Sequence, residues 1–283
     1  MTVEDVVVDT IVYAGVAIAF VVTLYPFLFV LSMSISDPVA VARREVFLLP
    51  KGFSLAAYRT VLSDPVVIRS YYNTLWYTAV GTALNLVFTV MAAYPLSKRN
   101  FSARGVLMFL IVFTMFFSGG LIPLFVLVVK LGLYGTRWAI VIPPLIATFN
   151  LIICRTFFQT LPEDLFESAR IEGAGEWRIV WKIVLPLSKP IVAVLVLFYG
   201  IAHWNSFFPA LLYLPKADLQ PIQIYLRRVL IQASPEAVQQ FETGEAGEGI
   251  MAMVQIKFAV MIVAMLPILL LYPSCRSTSS RAC

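Results

Sequence analysis

A bundle of membrane-spanning α-helices is the fold class this sequence predicts: all-α, with six spans. Three observations predict it. Sixty per cent of the residues are hydrophobic against 13% charged, and the mean hydropathy is +0.87. A soluble domain of this length cannot bury so much apolar surface. Six apolar stretches each reach the roughly 20 residues needed to cross about 30 Å of hydrocarbon. All sixteen acidic residues fall outside those stretches.

The elements follow in order. After a short acidic segment at 1–9, the first span covers residues 10–33. Its Pro26 is tolerable where neighbouring helices satisfy the freed carbonyl. A polar connector at 34–70 carries the turn signals Asp37-Pro38, Pro50-Lys51-Gly52 and Asp64-Pro65. The second span, 72–96, ends in a short basic turn with Lys98, Arg99 and Arg104. The third, 105–129, is interrupted by Ser118-Gly119-Gly120 and Pro123. These residues break or kink it; the glycines serve close packing in the simpler reading and a gate in the other. A fourth span covers 138–158, a fifth 190–214 and a sixth 250–272. Between the last two lies a long polar connector at 215–249. The first stretch is too long for a signal-peptide core and lacks a small-x-small cleavage site, so it is read as a span. Basic residues divide almost evenly between the two sides, so the positive-inside rule does not fix orientation, although the short turn at 97–104 favours the inside.

Residues 159–189, between the fourth and fifth spans, are polar yet patterned. Thr160 and Glu163 have capping-box spacing, and acidic residues fill the next turn. Leu165, Phe166 and Ala169 mark one face of a short helix, which Gly173 ends, because glycine takes positive φ freely. Trp177, Val180, Trp181 and Val184 then repeat at the spacing of an apolar helical stripe, and Pro186 closes it. Two small amphipathic helices with a glycine elbow make a docking surface.

Several activities are excluded on chemical grounds. Ion-coupled carriers usually need an intramembrane carboxylate or histidine relay. The only histidine, His203, has no acidic neighbour in sequence. No Gly-x4-Gly-Lys-Ser/Thr phosphate loop is present, so energy for uphill transport must come from another polypeptide. One histidine and an isolated Cys154 supply neither a nucleophile–base pair nor a metal-ligand set. The chain is therefore read as a non-enzyme. The scattered basic residues give no nucleic-acid patch, and three cysteines give no disulfide framework.

Glu167, Ala169, Gly173, Ile183, Leu185 and Pro186 fall on the pattern Glu-Ala-Ala-x3-Gly-x9-Ile-x-Leu-Pro, with Ser168 the one small-for-small exception. This stretch resembles the "EAA" coupling loop of permease subunits of bacterial ATP-binding-cassette importers. Tyr25-Pro26, Asn73-Thr74-Leu75, Ala93-Tyr94-Pro95-Leu96, Phe117–Pro123 and His203-Trp204-Asn205-Ser206 extend the resemblance over nearly the whole chain. They look most like MalG-type permeases of the carbohydrate branch, grouped with oligosaccharide and aldouronate importers.

The resemblance implies a single permease domain over 1–283, multi-pass in the bacterial plasma membrane, with the N-terminus and the loop at 159–189 cytoplasmic. The connectors at 34–70 and 215–249 would be extracellular. Implied partners are a second related permease, two cytoplasmic ATPases that bind ATP and magnesium, and a lipid-anchored extracellular sugar-binding protein. The implied mechanism is alternating access. Leu165, Phe166 and Ala169 would fill a groove of the ATPase, with Glu167 paired to one of its basic residues.

His203, Trp204 and Asn205 face the sugar path in one reading; in the other, Trp204 is an interfacial anchor and Asn205 interhelical glue. Asn73, Asn85 and Asn150 are read as helix–helix glue. The connector at 215–249 either enters the sugar-binding protein or is a solvated loop. An importer of a peptide or amino acid, and a bundle without a transport role, remain open.

The tail departs from the family. Relatives tend to continue Phe-Leu-Gln-Lys-Tyr-Phe-Val-Lys-Gly after Pro273, whereas residues 274–283 read Ser-Cys-Arg-Ser-Thr-Ser-Ser-Arg-Ala-Cys. Removing one thymine from a plausible coding sequence for the family ending yields this tail residue for residue. A frameshift is the expectation, and Cys275 and Cys283 then carry no function.

Overall fold

The computed structural model describes residues 3–232 and 254–267. Regular structure among them is helical, apart from an isolated bridge between Ser36 and Phe53. The altered tail at 274–283 and residues 233–249 of the 215–249 connector lie outside the described residues. So do both ends of the sixth predicted span.

The first predicted span is α1 (Val3–Ile35), 33 residues long with Pro26 inside it. Asp37 starts α2 (Pro38–Ala42): its carboxylate accepts the Val39 N–H at 3.0 Å, and Pro38 occupies the position where no amide is missed. After α3 (Ala56–Ser63), Asp64 repeats the device for α4 (Pro65–Ser97), accepting the Val66 N–H at 2.8 Å. The second span thus gains two turns before its predicted start.

The third is broken. Helix α5 (Arg104–Phe116) and α6 (Leu121–Lys130) meet at 115°. Close packing is not the reason for the glycines: a Cβ on Gly120 would meet only Pro123 Cδ, at 3.9 Å. What the bend requires is the backbone conformation, φ +87°.

The fourth is also divided, into α7 (Trp138–Val141) and α8 (Thr148–Gln159), because Pro143 and Pro144 between them cannot continue the amide ladder. The loop at 159–189 contains α9 (Asp164–Ile171) and α10 (Glu176–Leu187). The latter turns by 85° into α11 (Lys189–Trp204), followed by α12 (Phe208–Tyr213) and α13 (Ile222–Gln232). Helix α14 (Val254–Pro267) is the described part of the sixth span. By length and composition, two described helices suffice to cross a membrane, and four do so if each bent pair counts as one span.

Two compact units result. One holds residues 1–68 and 225–266; its core joins Met33, Val41 and Val46 to Phe258, which meets Phe29 edge-on at 6.2 Å. Buried Gln255 donates to the carbonyls of Ser36 (2.6 Å) and Ser34 (3.3 Å) at the end of α1. The other unit carries residues 69–224. Its first cluster packs the C-terminal half of α4 against α8, α9, α10 and α11, through residues such as Val90, Leu151, Phe166 and Leu195. Its second joins Tyr77 of α4 to Ile140, Ala210 and Tyr213.

Candidate functional site

The loop at 159–189 is built on α4. Thr160 does not cap α9. It closes α8 instead, donating its hydroxyl to Phe157 O at 2.7 Å, because the turn through Leu161 and Pro162 delays the next helix to Asp164. Glu163 takes the cap position without a side-chain bond. The elbow is as expected: Gly173 has φ +80°, with open space where a Cβ would stand.

The three residues of the predicted α9 face separate. Phe166 is 2% exposed and Ala169 is buried with it, both in the chain's own core, while Leu165 faces outward. A groove on another protein cannot receive Phe166 and Ala169 in this arrangement. The stripe on α10 divides too. Val180 and Val184 are buried together with Ile179, but Trp177 and Trp181 are exposed. The cause is a π segment, Val180–Val184. Its wider turn brings residues five apart, Ile179 and Val184, onto one face where 3.6-residue spacing would separate them. Ile183 and Leu185 are half-buried at that core, while Glu167 and Pro186 are exposed. The large apolar side chains left exposed on the loop include Leu165 and Ile171 of α9, beside Glu167, and Trp177 and Trp181 of α10, the latter two bordering a groove along α4.

Four side chains missed by sequence reasoning root this loop. The Tyr94 hydroxyl donates to Glu176 Oε2 at 2.6 Å, and Arg170 Nε donates to Oε1 of the same carboxylate at 3.0 Å. Lys98 Nζ lies 3.1 Å from the Phe166 ring centroid, a cation over an aromatic face, and Phe166 meets Tyr94 edge-on. The tyrosine bond, then the Arg170 bond and charge, hold the Glu176 carboxyl below the ordinary glutamate range against partial burial. The Glu176 bond raises Arg170, and burial lowers Lys98. Arg155 of α8 adds a bond to the free carbonyl of Leu96 (2.9 Å), where the end of a helix attracts positive charge. A cleft of about 450 Å³ opens beside the cluster, between Met91, Phe101 and Trp177. No local pattern announces any of these contacts.

A second region is a cavity of about 560 Å³ whose wall includes Asn85, Asn150, Tyr199, His203 and Asn205. The predicted trio parts here. His203 is buried, its Nε2 2.9 Å from Asn85 Oδ1, and its ring fills the space left by Gly81. Asn205 is exposed on the wall. Trp204 is not on it: buried, it packs edge-on against Tyr71 at 5.7 Å. Asn85 does join helical elements, also donating to Pro144 O at 2.6 Å. Asn73 instead pins the following connector. It donates to the carbonyls of Asp218 (2.7 Å) and Gln220 (3.3 Å) and accepts from Arg137 at 3.0 Å. Tyr77 and Thr74 add bonds to Leu219 O and Ile222 N, so residues 218–222 lie fastened along α4.

Residues 85–275 match the family described as "Binding-protein-dependent transport system inner membrane component". The chain belongs to that family. Protein LplC of Bacillus subtilis is 44% identical over 89% of this chain and 84% of its own length. The polygalacturonan/rhamnogalacturonan transport system permease protein YtcP of the same organism is 40% identical, covering 94% and 92%. Among solved structures, a bacterial ABC transporter "involved in the import of the acidic polysaccharide alginate" matches with TM-score 0.89 and 33% identity, over 98% of both chains. This binding-protein-dependent transport component is thus a membrane permease of an ABC importer, and the matched region includes the loop at 159–189 and the cavity.

Proposed function

We propose that the chain is one of two related permease subunits in an importer of oligosaccharides, driven by separate ATPases that bind ATP and magnesium. An extracellular lipid-anchored sugar-binding protein delivers the cargo. The polysaccharides for which the relatives are named, polygalacturonan, rhamnogalacturonan and alginate, support the carbohydrate class. All are polymers of hydroxyl-rich rings, and the amides of Asn150 and Asn205 on the cavity wall have the right donors and acceptors for such groups. The proposed arrangement is six spans, with 159–189 cytoplasmic.

One observation carries the reading. The loop roots Phe166 and Ala169 in its own chain while presenting Leu165, Glu167, Ile171, Trp177 and Trp181 outward around a glycine elbow. A seat fixed on one side, with exposed apolar residues beside the carboxylates of Glu163, Asp164, Glu167 and Glu172 on the other, suits a load-bearing contact with the ATPase. Leu165 and Ile171, not Phe166, then enter the partner's groove, and Glu167 meets a basic residue there.

The test is uptake of oligogalacturonate by cells expressing the whole complex. Glu167→Lys and Gly173→Val should leave membrane insertion unchanged and abolish co-purification with the ATPase and uptake. Uptake surviving both substitutions would remove the docking role, while peptide uptake without oligosaccharide uptake would overturn the substrate class.

A further inference from the structure

The side-chain bonds of Glu176 are made within the chain, to Tyr94 of α4 and Arg170 of α9. From them we infer that Glu176 is a positioning residue: through Tyr94 and Arg170 it makes α9, α10 and the C-terminal end of α4 move as one body when the ATPases close. The inference rests on the proposed permease mechanism and adds the route by which displacement of the loop reaches the membrane.

Three elements converge on one carboxylate. Tyr94 comes from α4, Arg170 from α9, and Glu176 opens α10. The two bonds, 2.6 and 3.0 Å, take separate oxygens of the carboxylate, so the three groups are fixed in direction as well as distance. Lys98, one turn beyond Tyr94, rests on the Phe166 ring and gives α4 a second hold on α9. Tyr94 and Phe166 are both buried, whereas the charges at the rim remain partly exposed. Apolar packing alone permits sliding, since it has little directional preference. A hydroxyl and a guanidinium bound to one carboxylate resist sliding. Gly173 lies between Arg170 and Glu176, and an elbow free of steric constraint would let α9 pivot away from α10 unless something bridged it. Glu176 bridges it. The same elbow that shapes the docking surface thus creates the need for the clasp.

The experiment uses the assembled complex of both permeases and two ATPases in proteoliposomes. Ala202, on the wall of the 560 Å³ cavity, is replaced by cysteine, and the three native cysteines are removed. Thiol labelling is compared before and after trapping with ATP, magnesium and vanadate, and ATP hydrolysis is measured alongside. Tyr94→Phe and Glu176→Gln should continue to hydrolyse ATP while the trapping-dependent change in labelling falls about tenfold, the scale of a lost charge-assisted bond. The double variant should lose little more than either single one, as expected for one shared contact.

A merely structural bond would lower assembly but leave the labelling change intact in complexes that form, and that result overturns the proposal. A second arm covers variants that assemble poorly. Tyr94→Cys combined with Glu176→Cys, joined by a short bifunctional maleimide in the assembled complex, should preserve the full labelling change if the elements travel together. A cross-link that freezes the change overturns the proposal. No trapping-dependent change in the parent overturns the permease mechanism and the clasp with it.

Discussion

At the scale of single residues, two glycines separate packing from backbone conformation. A Cβ on Gly81 would stand 2.5 Å from His203 Nε2 and within 2.8 Å of two ring carbons. Gly81→Ala should therefore cost about 1–3 kcal/mol by overpacking, read as a lowered thermal midpoint in detergent. Gly173 is the opposite case. It has space but a φ of +80°, so Gly173→Ala should cost about 1–2 kcal/mol from the left-handed conformation alone, and Gly173→Val more.

Glu176 brings a pH dependence whose sign is set by its depressed pKa. Its bonds favour the ionised, folded form, so the contribution is fully present above the unfolded glutamate range and is lost as pH falls through the lower folded value. A pH titration of thermal stability should show this acid-side loss, and Glu176→Gln should remove it. The half-exposed ion pair with Arg170 keeps the amplitude small.

The element scale is where periodicity misleads. Helix α9 was correctly legible as short and ended by glycine, but its buried side holds Phe166 and Ala169 without Leu165. In α10 the π segment re-phases the stripe, and nothing in the residue spacing predicts such an insertion. The resulting division makes opposite predictions for neighbouring aromatics. Phe166→Ala removes a side chain 2% exposed and should destabilise the chain by about 3–5 kcal/mol. Trp181→Ala removes one that is 54% exposed; thermal unfolding of the isolated chain should hardly change, while ATPase co-purification should fall.

Across the whole molecule, composition and helix length were sufficient for the fold class, because the cost of placing charge and unsatisfied backbone in hydrocarbon constrains every long apolar stretch. The break at Gly120 was legible as an interruption although its 115° bend was not, whereas the fourth span was read as continuous and the Pro143-Pro144 pair divides it. The same limit hid the Tyr94–Glu176 contact, whose partners lie 82 positions apart. Topology is open to direct measurement: a cysteine replacing Ser168 should resist impermeant thiol reagents in sealed cells and react after permeabilisation. Lastly, Asn85 reaches the carbonyl of Pro144 at 2.6 Å, inside a stretch where the proline pair has interrupted the helix. The amide and the interruption are chemically interdependent, since a helix running unbroken through 142–147 would consume that carbonyl itself. Descendants of this sequence that straighten the segment should be released from keeping the asparagine, so the two features should be gained and lost together in the family's history.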